Sequence, residues 1–170
     1  MSFSVKFTRR FSMAHRLSHD AAPKCATPHG HNEFVTIELV RPGAPVLCGS
    51  KNMVQEFGQL KAAWHRWIDE SVDHCLQLNE NDPLLQHVDA AFPDWRIMVT
   101  PGDPTTELTA ALFMTKCQAF LDADATGFHC KKLTLQETPT NSVTVEGLPL
   151  QGISFDSTLD WWTRPDASIR

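Results

Sequence analysis

Apolar and polar residues alternate along residues 3 to 15, where Val5, Phe7, Phe11 and Met13 fall on odd positions together with His15. Alternation of this kind sends successive side chains to opposite faces and predicts a strand with one apolar side. Residues 31 to 40, HNEFVTIELV, repeat the pattern with Val35, Ile37 and Leu39, and their β-branched and aromatic content suits an antiparallel partner that ends at RPGAP. Between 53 and 72 the period changes. Phe57, Leu60, Trp64, Trp67, Ile68 and Val72 recur at three and four residues, which is the apolar stripe of a long helix. The segment VDHCLQLNENDP follows, with Asp73 and His74 just where that stripe stops, and helix ends commonly feed sites.

WRIMVT, at 95 to 100, predicts a short added strand. PGDPTTEL then predicts a loop and a helix start, with Thr105 or Thr106 as N-cap and Glu107 in the favourable first turn. Leu108, Leu112, Phe113 and Phe120 carry that helix to about residue 121 along one core-facing side. Leu133, Leu135 and Glu137 share a face of KKLTLQET, and TPTN turns the chain into SVTVE, a second hairpin. Strand, strand, helix, helix, strand, strand predicts an α+β fold: an antiparallel four-stranded sheet with two helices layered on one face. Residues 147–170 are rich in turn formers yet hold Trp161 and Trp162, and no task follows from their pattern.

Composition narrows the function more than the fold. A chain of 170 residues can bury about 70% of its unfolded surface, so a single domain spanning 1–170 is expected. A net charge of −5 and a pI near 5.9 argue against a general nucleic-acid or membrane binder, which needs a basic footprint. The five cysteines, at 25, 48, 75, 117 and 130, form no C-x-x-C pair and leave one over, which fits a reducing compartment. No stretch reaches membrane-spanning length and the N-terminus lacks a long apolar core, so a soluble cytoplasmic protein is expected.

The candidate chemistry gathers in FSMAHRLSHDAAPKCATPHGH, residues 11 to 31. His29 and His31 leave the same face of a strand about 7 Å apart at Cα, close enough to share a metal ion. Antiparallel pairing brings His15 opposite them, and all three share the parity of the apolar side. Three protein ligands with an open fourth position describe a catalytic zinc, whereas structural sites are closed by four. Cys25 stands four residues before His29, where Lys24 and a bound Zn²⁺ would favour its thiolate. If Cys25 itself closed the site, the zinc would be structural. Asp73 and His74 are adjacent at the end of the long helix, where a carboxylate can orient an imidazole as proton carrier. Glu137, on a face with two leucines, is costly to bury unless a partner or ligand meets it.

The signature F-S-x-A-H-R-L followed by C-x-x-x-H-G-H is similar to that of the 6-pyruvoyl-tetrahydropterin synthase superfamily. The short spacer between Cys25 and His29 resembles its queuosine-pathway branch, the 6-carboxy-tetrahydropterin synthases. The resemblance covers about 3–146 and leaves 147–170 as an extension. It implies the tunnelling fold (T-fold), Zn²⁺ held by His15, His29 and His31, and a relay of Cys25, Asp73 and His74. It further implies a pterin held by Glu137 and bordered by Thr105, Thr106 and Glu107, and a homo-oligomer, a hexamer built as a dimer of trimers, with sites between subunits. The implied reaction is that of a zinc-dependent lyase converting 7,8-dihydroneopterin triphosphate to 6-carboxy-tetrahydropterin, acetaldehyde and triphosphate. Lys24, Arg10, Arg16 and Lys132 are the basic candidates for the anionic tail.

The chain departs from the family pattern at Asn52-Met53-Val54, at Glu56-Phe57 and at Leu108, which bears on loop geometry and pocket shape. Three rival readings stand beside the lyase. One keeps fold and zinc but leaves the three-carbon side chain intact, giving 6-pyruvoyl-tetrahydropterin. Another is a non-catalytic pterin or zinc protein. The third is a cysteine hydrolase built on Cys25, His74 and Asp73, which leaves the three histidines without a task.

Overall fold

The computed structural model describes residues 3–19, 21–43, 49–147, 150 and 155–170. Strand β1 (Ser4–His15) pairs antiparallel with β2 (His29–Val40) over its whole length, from Ser4↔Val40 to His15↔His29. Strand β5 (His129–Thr138) pairs with the other edge of β2, and β6 (Asn141–Glu146) pairs with β5. These are the four antiparallel strands expected from the alternation. The sheet does not stop there. Strands β3 (Cys75–Asn79) and β4 (Ile97–Thr100) add to the free edge of β1 in parallel, giving a mixed six-stranded sheet in the order β4-β3-β1-β2-β5-β6. The expected four-stranded, wholly antiparallel sheet is corrected accordingly.

The physical reason lies in β3. Parallel strands are covered on both faces and lose the alternation that marks a half-buried strand. Cys75, Gln77, Leu78 and Asn79 are all buried, and two polar residues among them interrupt the apolar run. Parallel neighbours also need a crossover. Here it is a helix, α3 (Pro83–Ala91), started by Asp82, whose carboxylate accepts from the Leu84 N–H, with Pro83 in the first turn.

Three further α-helices stand among the described residues: α1 (Pro23–Ala26), α2 (Phe57–Trp67) and α4 (Thr106–Ala123). Thr105 caps α4 through the Leu108 N–H. The odd face of the sheet, with Phe11, Val35, Ile37, Leu39, Leu133 and Leu135, packs against Trp64 and Trp67 of α2 and Phe113 of α4. Each such side chain contributes roughly 1.5–3 kcal/mol of burial. On the opposite face, α3 covers Leu78, Ile97 and Val99 with Val88.

The C-terminal residues 155–170 join this core. Trp161 is fully buried and donates its indole N–H to the Val99 carbonyl, while the Val99 N–H donates to the Ile169 carbonyl. Lys116, fully buried on α4, donates to the Trp161 and Ser168 carbonyls and sits 3.4 Å from Asp166 Oδ1. Burial lowers its amine to about 8 despite that carboxylate.

Candidate metal centre and substrate pocket

His15 and His29 form the last rung of the β1–β2 ladder, and His31 sits two pairs back, opposite Met13. Because all three are on one face, their rings crowd to centroid distances of 4.6, 5.1 and 5.0 Å. One ligand nitrogen from each lies within 4.8 Å of the others. His15 Nδ1 is 2.9 Å from the Pro104 carbonyl and His29 Nδ1 is 2.9 Å from the Thr27 carbonyl. A carbonyl only accepts, so each Nδ1 carries a proton, and in the neutral ring that leaves the Nε2 lone pair for the centre. Burial lowers the pKa of His15, and the neighbouring His29 and His31 add to the effect against the Pro104 and Glu137 acceptors. A neutral imidazole is the form a metal requires. Two imidazoles anchored through Nδ1 and a third histidine beside them fit an ion of the zinc type in a three-ligand site.

Cys25 lines the same cavity of about 570 Å³, together with Lys24, Thr105, Thr106, Glu107, Glu137 and Asn141. Among the described residues its sulfur is not part of the ligand cluster, which holds the three histidines alone. Thr106 Oγ1 donates to Glu137 Oε1 at 2.9 Å, leaving the second carboxylate oxygen for another donor. Thr105 is engaged as the α4 cap. Of the four basic candidates, Lys24 lines the cavity. Arg10 donates to Asn32, Arg16 Nε lies 3.0 Å from Asp82, and Lys132 lies 2.6 Å from Glu146.

Asp73 and His74 lie elsewhere. A π-helical turn (Ile68–Val72) ends α2, with the Asp73 N–H donating to the Ile68 carbonyl, and His74 follows with a left-handed φ of 64°. Asp73 Oδ1 accepts from the Ser12 N–H at 2.7 Å, and Oδ2 is 2.9 Å from His74 Nδ1. The imidazole is thus oriented while 77% of its side chain stays exposed. The dyad borders a separate cavity of about 590 Å³ with Ala14, Leu76, Asp94, Trp95 and Arg96. Ala14 pairs with Leu76 and His15 with Gln77, so alternation sets Ala14 and Leu76 on the sheet face opposite His15. One chain therefore does not bring His74 to Cys25.

Two carboxylates near the pocket were not foreseen. Glu33, 1% exposed, has its carboxyl raised to about 8, first by burial and then by Glu137. Its odd parity, two residues past His31, was the available signal. Asp103, just before the Pro104 that anchors His15, accepts from Ser18, His19 and Asn79. Its partners lie far apart in sequence, and no local pattern announces them.

The model of the 6-pyruvoyl tetrahydropterin synthase family matches residues 4–148. Relatives named 6-carboxy-5,6,7,8-tetrahydropterin synthase include one from Rickettsia conorii, 29% identical over 83% of this chain and 99% of its own length. Another from Rickettsia felis is 30% identical over the same shares. Among solved structures, the 6-pyruvoyl tetrahydropterin synthase of Caenorhabditis elegans superposes with a TM-score of 0.59 at 23% identity, covering 87% of this chain and 97% of that one. An uncharacterised protein from Wolinella succinogenes reaches 0.69 at 20% identity, covering 87% and 99%. These likenesses give the T-fold. With the family match spanning the sheet, α2, α4 and every residue of the histidine pocket, the chain belongs to the 6-pyruvoyl tetrahydropterin synthase family.

Proposed function

We propose that the chain is a zinc-dependent lyase, a 6-carboxy-5,6,7,8-tetrahydropterin synthase of queuosine biosynthesis. It converts 7,8-dihydroneopterin triphosphate to 6-carboxy-tetrahydropterin, acetaldehyde and triphosphate. The observation that carries this reading is the convergence of three histidine nitrogens in one cavity with Cys25 and Glu137. The names of the Rickettsia relatives and the short Cys25–His29 spacer favour the 6-carboxy product.

His15, His29 and His31 would hold Zn²⁺, which when bound supplies Lewis-acid polarisation of the substrate's side-chain oxygens. Glu137 accepts the paired N–H groups of the pterin edge, its geometry steadied by Thr106. Lys24 meets the anionic tail at the cavity wall. Cys25 moves protons on the side-chain carbons, and His74, oriented by Asp73, serves as acid or base. Since the dyad occupies the opposite sheet face, it reaches the thiol only from a second copy. The working form is then a homo-oligomer in a reducing cytoplasm. Among the described residues no helix is long and apolar enough to cross a membrane.

The test is mass analysis of the product from zinc-loaded protein and dihydroneopterin triphosphate. A 6-carboxy product with released acetaldehyde is expected. An intact three-carbon side chain would establish the 6-pyruvoyl reaction instead, and unchanged substrate would leave a binding protein.

A further inference from the structure

We infer that Asp103 is a positioning residue for Cys25: it fastens the loop after β1, and that loop sets where the thiol stands. The inference rests on the reading of Cys25 as the proton carrier. Helix α1, which bears Cys25, has four residues, no side-chain cap and no buried residue. Packing therefore does not hold it. Its backbone is tied to the loop after β1 by the Leu17 N–H, which donates to the Cys25 carbonyl at 2.9 Å, and the carbonyl of its C-cap Thr27 accepts from His29 Nδ1.

The residues next to Leu17 are clamped from across the sheet. Asp103 Oδ2 accepts the consecutive N–H groups of Ser18 and His19, each at 2.7 Å. Its Oδ1 accepts from Ser18 Oγ at 2.6 Å and from Asn79 Nδ2 at 2.9 Å. Arg16, on the other side of Leu17, lies 3.0 Å from the buried carboxylate of Asp82. With its side chain 12% exposed, desolvation works against the Asp103 charge, yet the Asn79, Ser18 and His19 donors prevail and hold the carboxyl well below its ordinary range.

Ser18, His19 and Asp103 are not a nucleophile relay of their own. Ser18 Oγ and Asp103 Oδ1 both meet the same ring nitrogen, His19 Nδ1, and the serine proton is already given to the carboxylate. The cluster is a clasp. It has the further property of neighbouring Pro104, so one turn between β4 and α4 steadies both the His15 ring and the loop leading to Cys25.

Asp103→Asn tests this, because an amide offers one acceptor oxygen and would turn an NH₂ group toward N–H donors. The zinc-loaded variant is expected to keep its metal content and helix signal. Its kcat should fall roughly 10- to 100-fold, as a displacement of about 1 Å can produce, with KM little changed. The rate of Cys25 alkylation by iodoacetamide, followed on the Cys25 peptide without substrate, should change by a similar order. Unaltered alkylation and kcat overturn the inference. Loss of zinc also overturns it, by assigning Asp103 to the metal cradle. Should Asp103→Asn fail to fold, Ser18→Ala decides: it removes the hydroxyl's bonds to Asp103 and His19, keeps both backbone bonds to Asp103, and must shift Cys25 reactivity as well. Since alkylation needs no turnover, a wild type inactive on the pterin would count against the proposed function and leave this test standing.

Discussion

The two cavities that border β1 are built in opposite ways. Around the histidines, a long hairpin ladder fixes three rings side by side, buries His15 to 3% exposure and ties two of the rings to carbonyls. Around the dyad, a π-helical turn and a left-handed residue hold His74 out in solvent, and the Ser12 N–H and His74 overcome the desolvation of Asp73 to keep its carboxyl below the ordinary 3.8. The first gathers its three candidate ligands within one chain. The second holds an oriented imidazole out from its own chain. Strain and exposure together set the dyad apart from the histidine cluster, and the proposed oligomer would give it a partner surface.

The largest effect expected from this contrast concerns the metal. His31→Ala should lower zinc from about one per chain to near none, since losing one of three ligands weakens binding severely. His74→Ala should leave zinc unchanged, and equal losses by elemental analysis would break the distinction. Next in size, Cys25→Ala should retain zinc and lose on the order of 10²- to 10⁴-fold in turnover. Co-assembled Cys25→Ala and His74→Ala chains should recover a measurable fraction of the activity that neither variant shows alone. Absence of recovery would separate the two cavities functionally.

A smaller change is expected at the pterin edge. Glu137→Gln should raise KM about tenfold, matching the loss of a charge-assisted hydrogen bond, without altering zinc content. The smallest lies at the dyad. Because the Asp73 carboxyl is lowered in the folded chain, its stabilisation is present above about pH 4 and lost as the pH falls through the lowered value. Urea unfolding should show wild type above Asp73→Asn by about 1 kcal/mol at pH 7, with the gap narrowing below pH 4. A gap that widens in acid would contradict the assignment.

The sequence disclosed the hairpin because β1 and β2 bury one face each, so parity alone set the histidines together. It disclosed α4 through Thr105, Glu107 and the apolar stripe. Strand β3 was hidden by Gln77 and Asn79, buried polar residues whose partners, Thr109 and Asp103, come from distant segments. Asp103 was hidden for the same reason. The separation of Cys25 from His74 depends on which face of a sheet each cavity opens to, and that requires the parallel register of β1 with β3, which no local pattern encodes.

The buried Lys116 has a consequence for where this protein can be cut. The family match stops at residue 148, yet the ammonium of Lys116 is received by carbonyls of Trp161 and Ser168, and the outer edge of β4 is closed by Ile169. A chain ended at the family boundary would leave a cation in an apolar hollow beside Trp67 and Phe120. It would also bare a sheet edge able to template pairing between molecules. The unit of homology is therefore shorter than the unit of folding, and trimming to the former should yield aggregate rather than a smaller folded protein.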